Sequence, residues 1–386
     1  MKSTLLGILL LISTCSFAVD IKTLNPIETI EVLPKGFKTP IKYNITLPHQ
    51  YNEDENKAYF VLFDIHPRSQ PFITGMQDWL SHNGEWPWLK TIVVNPAAYH
   101  PEFAAAFNQL AENPQDETIL NILQDGILKK VDEKYRTNGY RIYSGFMSNG
   151  ALGLYTLLNR PEMFDAYLIA SPSLGNNFGN VVLDAPDKLR TKYDGTKFLY
   201  MTIGNHDYEK AHVDAFKQFE SQLQKLPDDQ LQWSANSNEN HYYMSRPIIT
   251  LLNGIEALFD DIHNDLSPDS VISMQGPDAI VNYYEKLSKE KYGFSVSAEG
   301  SLKALAQSLM EKAPSKALAI YIKTTELYPE SAYAYYSLAK AYAEQGNIKK
   351  AIDVQSVAVE KSKAMVQWHQ NKHLQYLNEL KAKVKD

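Results

Sequence analysis

Short apolar runs alternate with stretches of helical spacing through the first two thirds of the chain. Residues 41–47 alternate apolar and polar side chains, as a strand with one buried face does, and Pro48 ends the run. Residues 59–65 are apolar almost throughout, the pattern of an inner strand covered on both faces. Residues 91–95, 167–170 and 198–203 read the same way, and 231–235 predicts the last strand. Between them, residues 118–135 place Leu120, Leu123, Ile127 and Val131 on one helical face. Residues 210–224 and 248–259 predict further helices. Strands that alternate with helices in this way predict an α/β architecture, a mostly parallel sheet covered on both faces.

The pattern tightens at residues 141–174, RIYSGFMSNGALGLYTLLNRPEMFDAYLIASPSL. A short strand at 141–144 runs into the small-residue knot Gly145-Phe146-Met147-Ser148-Asn149-Gly150. A helix follows over 151–159, Arg160-Pro161 stops it, and a second strand begins near Tyr167. A turn this sharp needs small residues on both sides of its tip. It aims backbone N–H groups from the helix start at whatever lies above the tip.

This unit resembles the siderophore-esterase type of α/β-hydrolase, whose pattern runs Arg-x-x-x-Gly-His-Ser-x-Gly-Gly, then Leu-Tyr, Arg-Pro-x-x-Phe and Ser-Pro-Ser-Leu. Arg141, Gly145, Gly150, Leu154-Tyr155, Arg160-Pro161, Phe164 and Ser171-Pro172-Ser173-Leu174 match without a gap. The resemblance implies an α/β-hydrolase fold acting on a small carboxylic ester or related acyl ligand, with no cofactor. The same register puts Met147 on the nucleophile position and Asn149 on the first glycine of the Gly-Gly pair. Ser148 follows one place late. A thioether has no proton to lose, so Ser148 is the candidate nucleophile, and it needs a one-residue bulge at the elbow.

The remaining machinery is expected in the chain order nucleophile, acid, histidine. Asp207 follows one predicted strand and His241 follows the last, within a Glu239-Asn240-His241 run like the family's histidine motif. Asp207 is the candidate acid, with Glu209 as its rival. The resemblance also assigns an oxyanion-type pocket to Ile65, His66, Met147 and Ser148. The plainer alternative for both Asp207 and His241 is simple loop capping. Trp79, Trp86 and Trp88 sit in a loop-rich stretch that either lines the pocket or packs a lid. No metal site is expected. His206, Asp207 and His212 share one turn without a further ligand set, and His369 and His373 share a helix face without a nearby acid.

The composition changes after Phe259. Residues 260–277 are acidic and broken by prolines and Gly276, so 263–297 reads as a linker, and 298–386 are helical throughout. Tyr335, Leu338, Ala339, Tyr342 and Ala351 fit a tetratricopeptide unit, and Ala317 lies 34 residues before Ala351, the repeat length. Two such units could hardly fold alone, so this small all-α domain is expected to dock on the α/β domain, 19–262. Its concave face would suit a protein partner; a stabilising appendage is the plainer reading.

Residues 1–18 carry Lys2, an apolar run and Ser16-Phe17-Ala18, a secretory signal expected to be cut after Ala18. The expected compartment is periplasmic or secreted, with no membrane span. A net charge of −7 gives no reason to expect a nucleic-acid partner. The lone cysteine, Cys15, falls within that signal, so neither disulfides nor thiol chemistry are expected. Three functions stay open on this reading: an exported esterase, a non-catalytic binding protein that kept the pocket, and a scaffold built on the helical repeats.

Overall fold

The computed structural model describes residues 26–384 except 54, 83, 191–192, 194–196, 228–230 and 239. The expected secretory signal and Glu239 lie outside the described residues. Among the described residues, eight strands form one sheet in the order β1-β2-β4-β3-β5-β6-β7-β8. They are β1 (Ile27–Val32), β2 (Ile41–Thr46), β3 (Tyr59–Asp64), β4 (Thr91–Pro96), β5 (Thr137–Phe146), β6 (Ala166–Ala170), β7 (Lys197–Thr202) and β8 (Leu231–Asn236). β1 and β2 are antiparallel, as are β2 and β4; every other pairing is parallel.

Strand periodicity sorts the apolar side chains into two cores. Val61, Phe63, Tyr143, Tyr167, Ile169 and Leu199 face one layer of helices, including the helix Ser148–Asn159. Phe60, Leu62, Ile142, Leu168 and Phe198 face the other, where Leu251, Ile255 and Leu258 of the helix Arg246–Leu258 meet them.

The second core does not stop at the α/β domain. Ile280, Tyr284, Tyr292, Leu302 and Leu338 belong to the same cluster as Phe60 and Phe259, so the helical extension is docked, as expected. The expected linker at 263–297 is corrected here. It holds the helix Pro277–Leu287 and a π-helical turn Ser288–Tyr292, and it buries Ile280, Tyr284, Lys291 and Tyr292. Pro277 opens a helix instead of breaking one, since its missing N–H falls in the first turn, where no partner is needed.

The Lys291 ammonium sits in this junction, 2.5 Å from the Asp261 carboxylate and 3.1 Å from the Leu258 carbonyl. Burial pushes its pKa down, and Asp261 resists that shift. The Tyr292 hydroxyl donates to the same Leu258 carbonyl at 2.9 Å and to Asp261. Beyond it, the helices Glu299–Leu309, Pro314–Leu327, Ala332–Glu344, Ile348–Lys361 and Gln367–Ala382 each pack on the next. Leu338 and Ala351 are buried between them, and Tyr342 is half-buried.

Lys291→Ala should leave Asp261 and the Leu258 carbonyl without their buried cation. We expect a loss of roughly 3 kcal/mol in chemical denaturation, still in one transition because the core is shared. Early release of a folded 298–384 fragment by limited proteolysis would contradict the shared core.

Candidate active site

β5 extends to Phe146 and the next helix starts at Ser148, so the turn is tighter than the 145–150 span expected, with a single residue between the elements. That residue, Met147, has φ 55° and ψ −121°. A side chain at positive φ is strained, and it persists only where its surroundings hold it. Here the Met147 N–H donates to the Ala170 carbonyl at 3.1 Å. Its carbonyl accepts from Ala151 at 3.0 Å and from Ser173 at 3.1 Å. Gly145 permits the close approach, because a Cβ there would sit 2.7 Å from the Asn149 carbonyl oxygen. The ungapped register therefore holds: Met147, not Ser148, occupies the tip.

Ser148 is the first residue of the helix and is exposed; its hydroxyl makes no hydrogen bond among the described residues. The Ser173 hydroxyl lies 3.9 Å from the Met147 sulfur and is its polar neighbour.

The two candidate acids differ sharply. The Asp207 side chain is 83% exposed and pairs with Lys210 at 2.6 Å, which holds its carboxyl below the usual range. The Glu209 side chain is 0% exposed. Its Oε1 accepts from the Ser171 hydroxyl and, at 3.1 Å, from Gly204 N–H. Its Oε2 accepts from His206 N–H at 3.1 Å and from Arg246 Nη2 at 3.0 Å. Arg246 Nε stands 2.7 Å from Oε1, which completes a two-point ion pair. Burial alone would raise the Glu209 pKa; the bonds from Ser171, Gly204 and Arg246 outweigh it and hold the carboxyl low. Sequence reading ranked Asp207 first, yet Glu209 is the acid that the fold encloses.

His241 is exposed on the loop after β8, and its carbonyl accepts from Arg246 Nη2 at 3.0 Å. Arg246 thus links Glu209 to the backbone of the histidine loop. The rings of His206, Tyr208 and Tyr243 pack together at 5.2–5.6 Å between centroids, and Phe146 meets Tyr243 at 5.0 Å. This aromatic group, which sequence reading missed, joins the elbow to the loops that carry Glu209 and Arg246.

After β3, Ile65 is buried and His66 is exposed. The His66 N–H, expected to face an oxyanion, is already donated to Asp64 Oδ1 at 2.8 Å. Ser69 and Ser144 hydroxyls donate to the same carboxylate at 2.8 and 2.9 Å. Burial raises the Asp64 pKa, against the pull of these bonds. Trp88 is buried, whereas Trp79 and Trp86 are exposed. Of the histidines weighed for a metal, His206 stacks on tyrosines, His212 accepts from Gly175 N–H at 3.0 Å and His369 bonds Tyr333.

No family model and no curated protein matches the chain. Solved structures do. An uncharacterised protein from Capnocytophaga ochracea superposes with a TM-score of 0.65 at 15% identity, over 92% of this chain and 100% of that one. An IroE-like serine hydrolase from Shewanella oneidensis superposes with a TM-score of 0.54 at 19% identity, over 78% of this chain and 100% of that one. The chain has the α/β-hydrolase fold. In this α/β domain the sharp turn between β5 and the helix Ser148–Asn159 carries methionine at its tip.

Arg246→Met should leave Glu209 buried without its cation, at a cost of roughly 3–5 kcal/mol in denaturant unfolding. A carboxyl held low in the fold stabilises above its ordinary value of about 4.3. That stability is lost as the pH falls through the lower folded value. Acid titration of stability should therefore show this loss in the wild type and a weaker one in Arg246→Met.

Proposed function

We propose that the chain is an exported protein of the esterase type that holds a small carboxylic ester or related acyl ligand at the elbow and turns it over weakly or not at all. The observation that carries this reading is Met147 at the strained tip. A thioether cannot form an acyl-enzyme. The other parts point the same way. Glu209 has both oxygens committed to Arg246, Ser171 and backbone N–H groups, so it serves as an anchor and has little capacity left to orient an imidazole. Asp207 faces solvent against Lys210. The His66 N–H is spent on Asp64. Residual turnover would come from a water that His241 activates, with whatever donors remain at the helix start. In this reading the helical extension stabilises the hydrolase domain through their shared core.

One observation favours a working esterase instead: the Ser148 hydroxyl is exposed and unbonded beside the tip. It would attack from the first position of a helix, and a displacement of about 1 Å from attack geometry costs on the order of a hundredfold.

Steady-state hydrolysis of p-nitrophenyl esters separates the two. The wild type should stay near the buffer rate, and Ser148→Ala should change it less than roughly twofold. Met147→Ser should raise kcat/KM by about tenfold or more, limited by Asn149. Robust wild-type turnover that Ser148→Ala abolishes would replace this reading with the working esterase.

A further inference from the structure

The terminal helix Gln367–Ala382 packs on the helix Ile348–Lys361 and meets Tyr333 and Tyr336 of the helix Ala332–Glu344. Its buried residues are His373, Leu377 and Leu380, so an imidazole supplies a third of its anchoring face. His373 is fully buried, and neither ring nitrogen has a hydrogen-bond partner among the described residues. Its ring meets Tyr333 edge-on at 4.9 Å and Tyr336 at 5.5 Å, both from the helix Ala332–Glu344. From the helix Ile348–Lys361 comes Gln355, a neutral amide that donates to the His373 carbonyl at 2.7 Å. On its own helix the ionisable neighbours are His369, Lys372 and Tyr376. His369 is bonded to the Tyr333 hydroxyl at 2.6 Å. Tyr376 is kept neutral, with burial pushing its pKa up to about 12. The Lys372 ammonium lies over the rings of Tyr333, Tyr336 and Trp368 at 4.9, 5.6 and 5.5 Å. The charges acting on the ring are thus those of Lys372 and His369, while the carboxylates of Glu344 and Glu379 act on Tyr376.

A neutral imidazole can be buried here at modest cost. An imidazolium brings a charge and two N–H donors into a site with no acceptor, beside an existing cation. We propose that His373 makes the terminal helix an acid-released latch, docked while the ring is neutral and loosened when the ring is protonated. Burial, with Lys372 and His369, holds the folded-state pKa below the ordinary value. The fold then binds its proton less tightly than the unfolded chain does. Docking is therefore at full strength above about pH 6.5 and weakens as the pH falls from there to the folded value. What separates is an aromatic face, Tyr333 and Tyr336, covered at neutral pH.

Hydrogen exchange on the full chain at pH 7.5 and 5.0, corrected for the intrinsic rates, tests this directly. Protection of residues 367–382 should fall by roughly tenfold or more at the lower pH, while the sheet stays protected. His373→Phe keeps a ring in the aromatic slot without a titrating nitrogen and should lose the pH dependence; His369→Gln should keep it. If His373→Phe does not fold, His373→Leu serves the same purpose. Equal protection at both pH values in the wild type would overturn the proposal. So would an undiminished fall in either His373 variant, or a wild-type His373 ring that titrates at or above the ordinary value by NMR.

Discussion

The buried carboxylate of Glu209 meets the guanidinium of Arg246 at two points, and the ends of three strands depend on that contact. Ser171, after β6, gives its hydroxyl to Glu209, and Gly204, after β7, gives its N–H. Arg246 opens the closing helix and reaches back to the His241 carbonyl, after β8. Neither ion could be buried alone, because desolvation of an unpaired charge costs several kcal/mol. Together, with every oxygen lone pair in use, they form a rigid floor beneath the place where chemistry would occur. Gly204 makes room for it: a Cβ there would stand 2.0 Å from Arg246 Nη2.

The turn above that floor keeps its shape with methionine at the tip. The strained turn at Met147 is held by backbone bonds to Ala170, Ala151 and Ser173, none of which needs a particular side chain at the tip. On the other side, Asp64 takes up the His66 N–H together with Ser69 and Ser144. These donors are turned inward, into bonds that stabilise the loops. The helical extension continues the same pattern, with Lys291 and Tyr292 fixing the junction to Asp261 and Leu258.

Much of this was legible in the sequence, and what was not has physical reasons. The inner strands show because burial on both faces leaves continuous apolar runs such as that of β3. The position of Met147 shows because the matches on either side of it leave no gap. Glu209 was ranked second because its partners Ser171 and Arg246 lie 38 and 37 residues away, where no local pattern reveals them. Asp207 and Glu209 look alike on one turn, and only the fold decides which of them points inward. The packed bridge at 263–297 was hidden by Pro277 and Gly276, which mark a helix start as readily as a linker. The burial of His373 was not legible, since it depends on the two helices before it.

The central claim is that the elbow of this hydrolase fold carries no activated nucleophile. Intact-protein mass spectrometry after exposure to a fluorophosphonate reports that most directly, because the reagent adds one phosphonyl group to an activated serine. The account predicts no adduct on the wild-type chain, and an adduct at position 147 in Met147→Ser. A stoichiometric wild-type adduct that maps to Ser148 would contradict it.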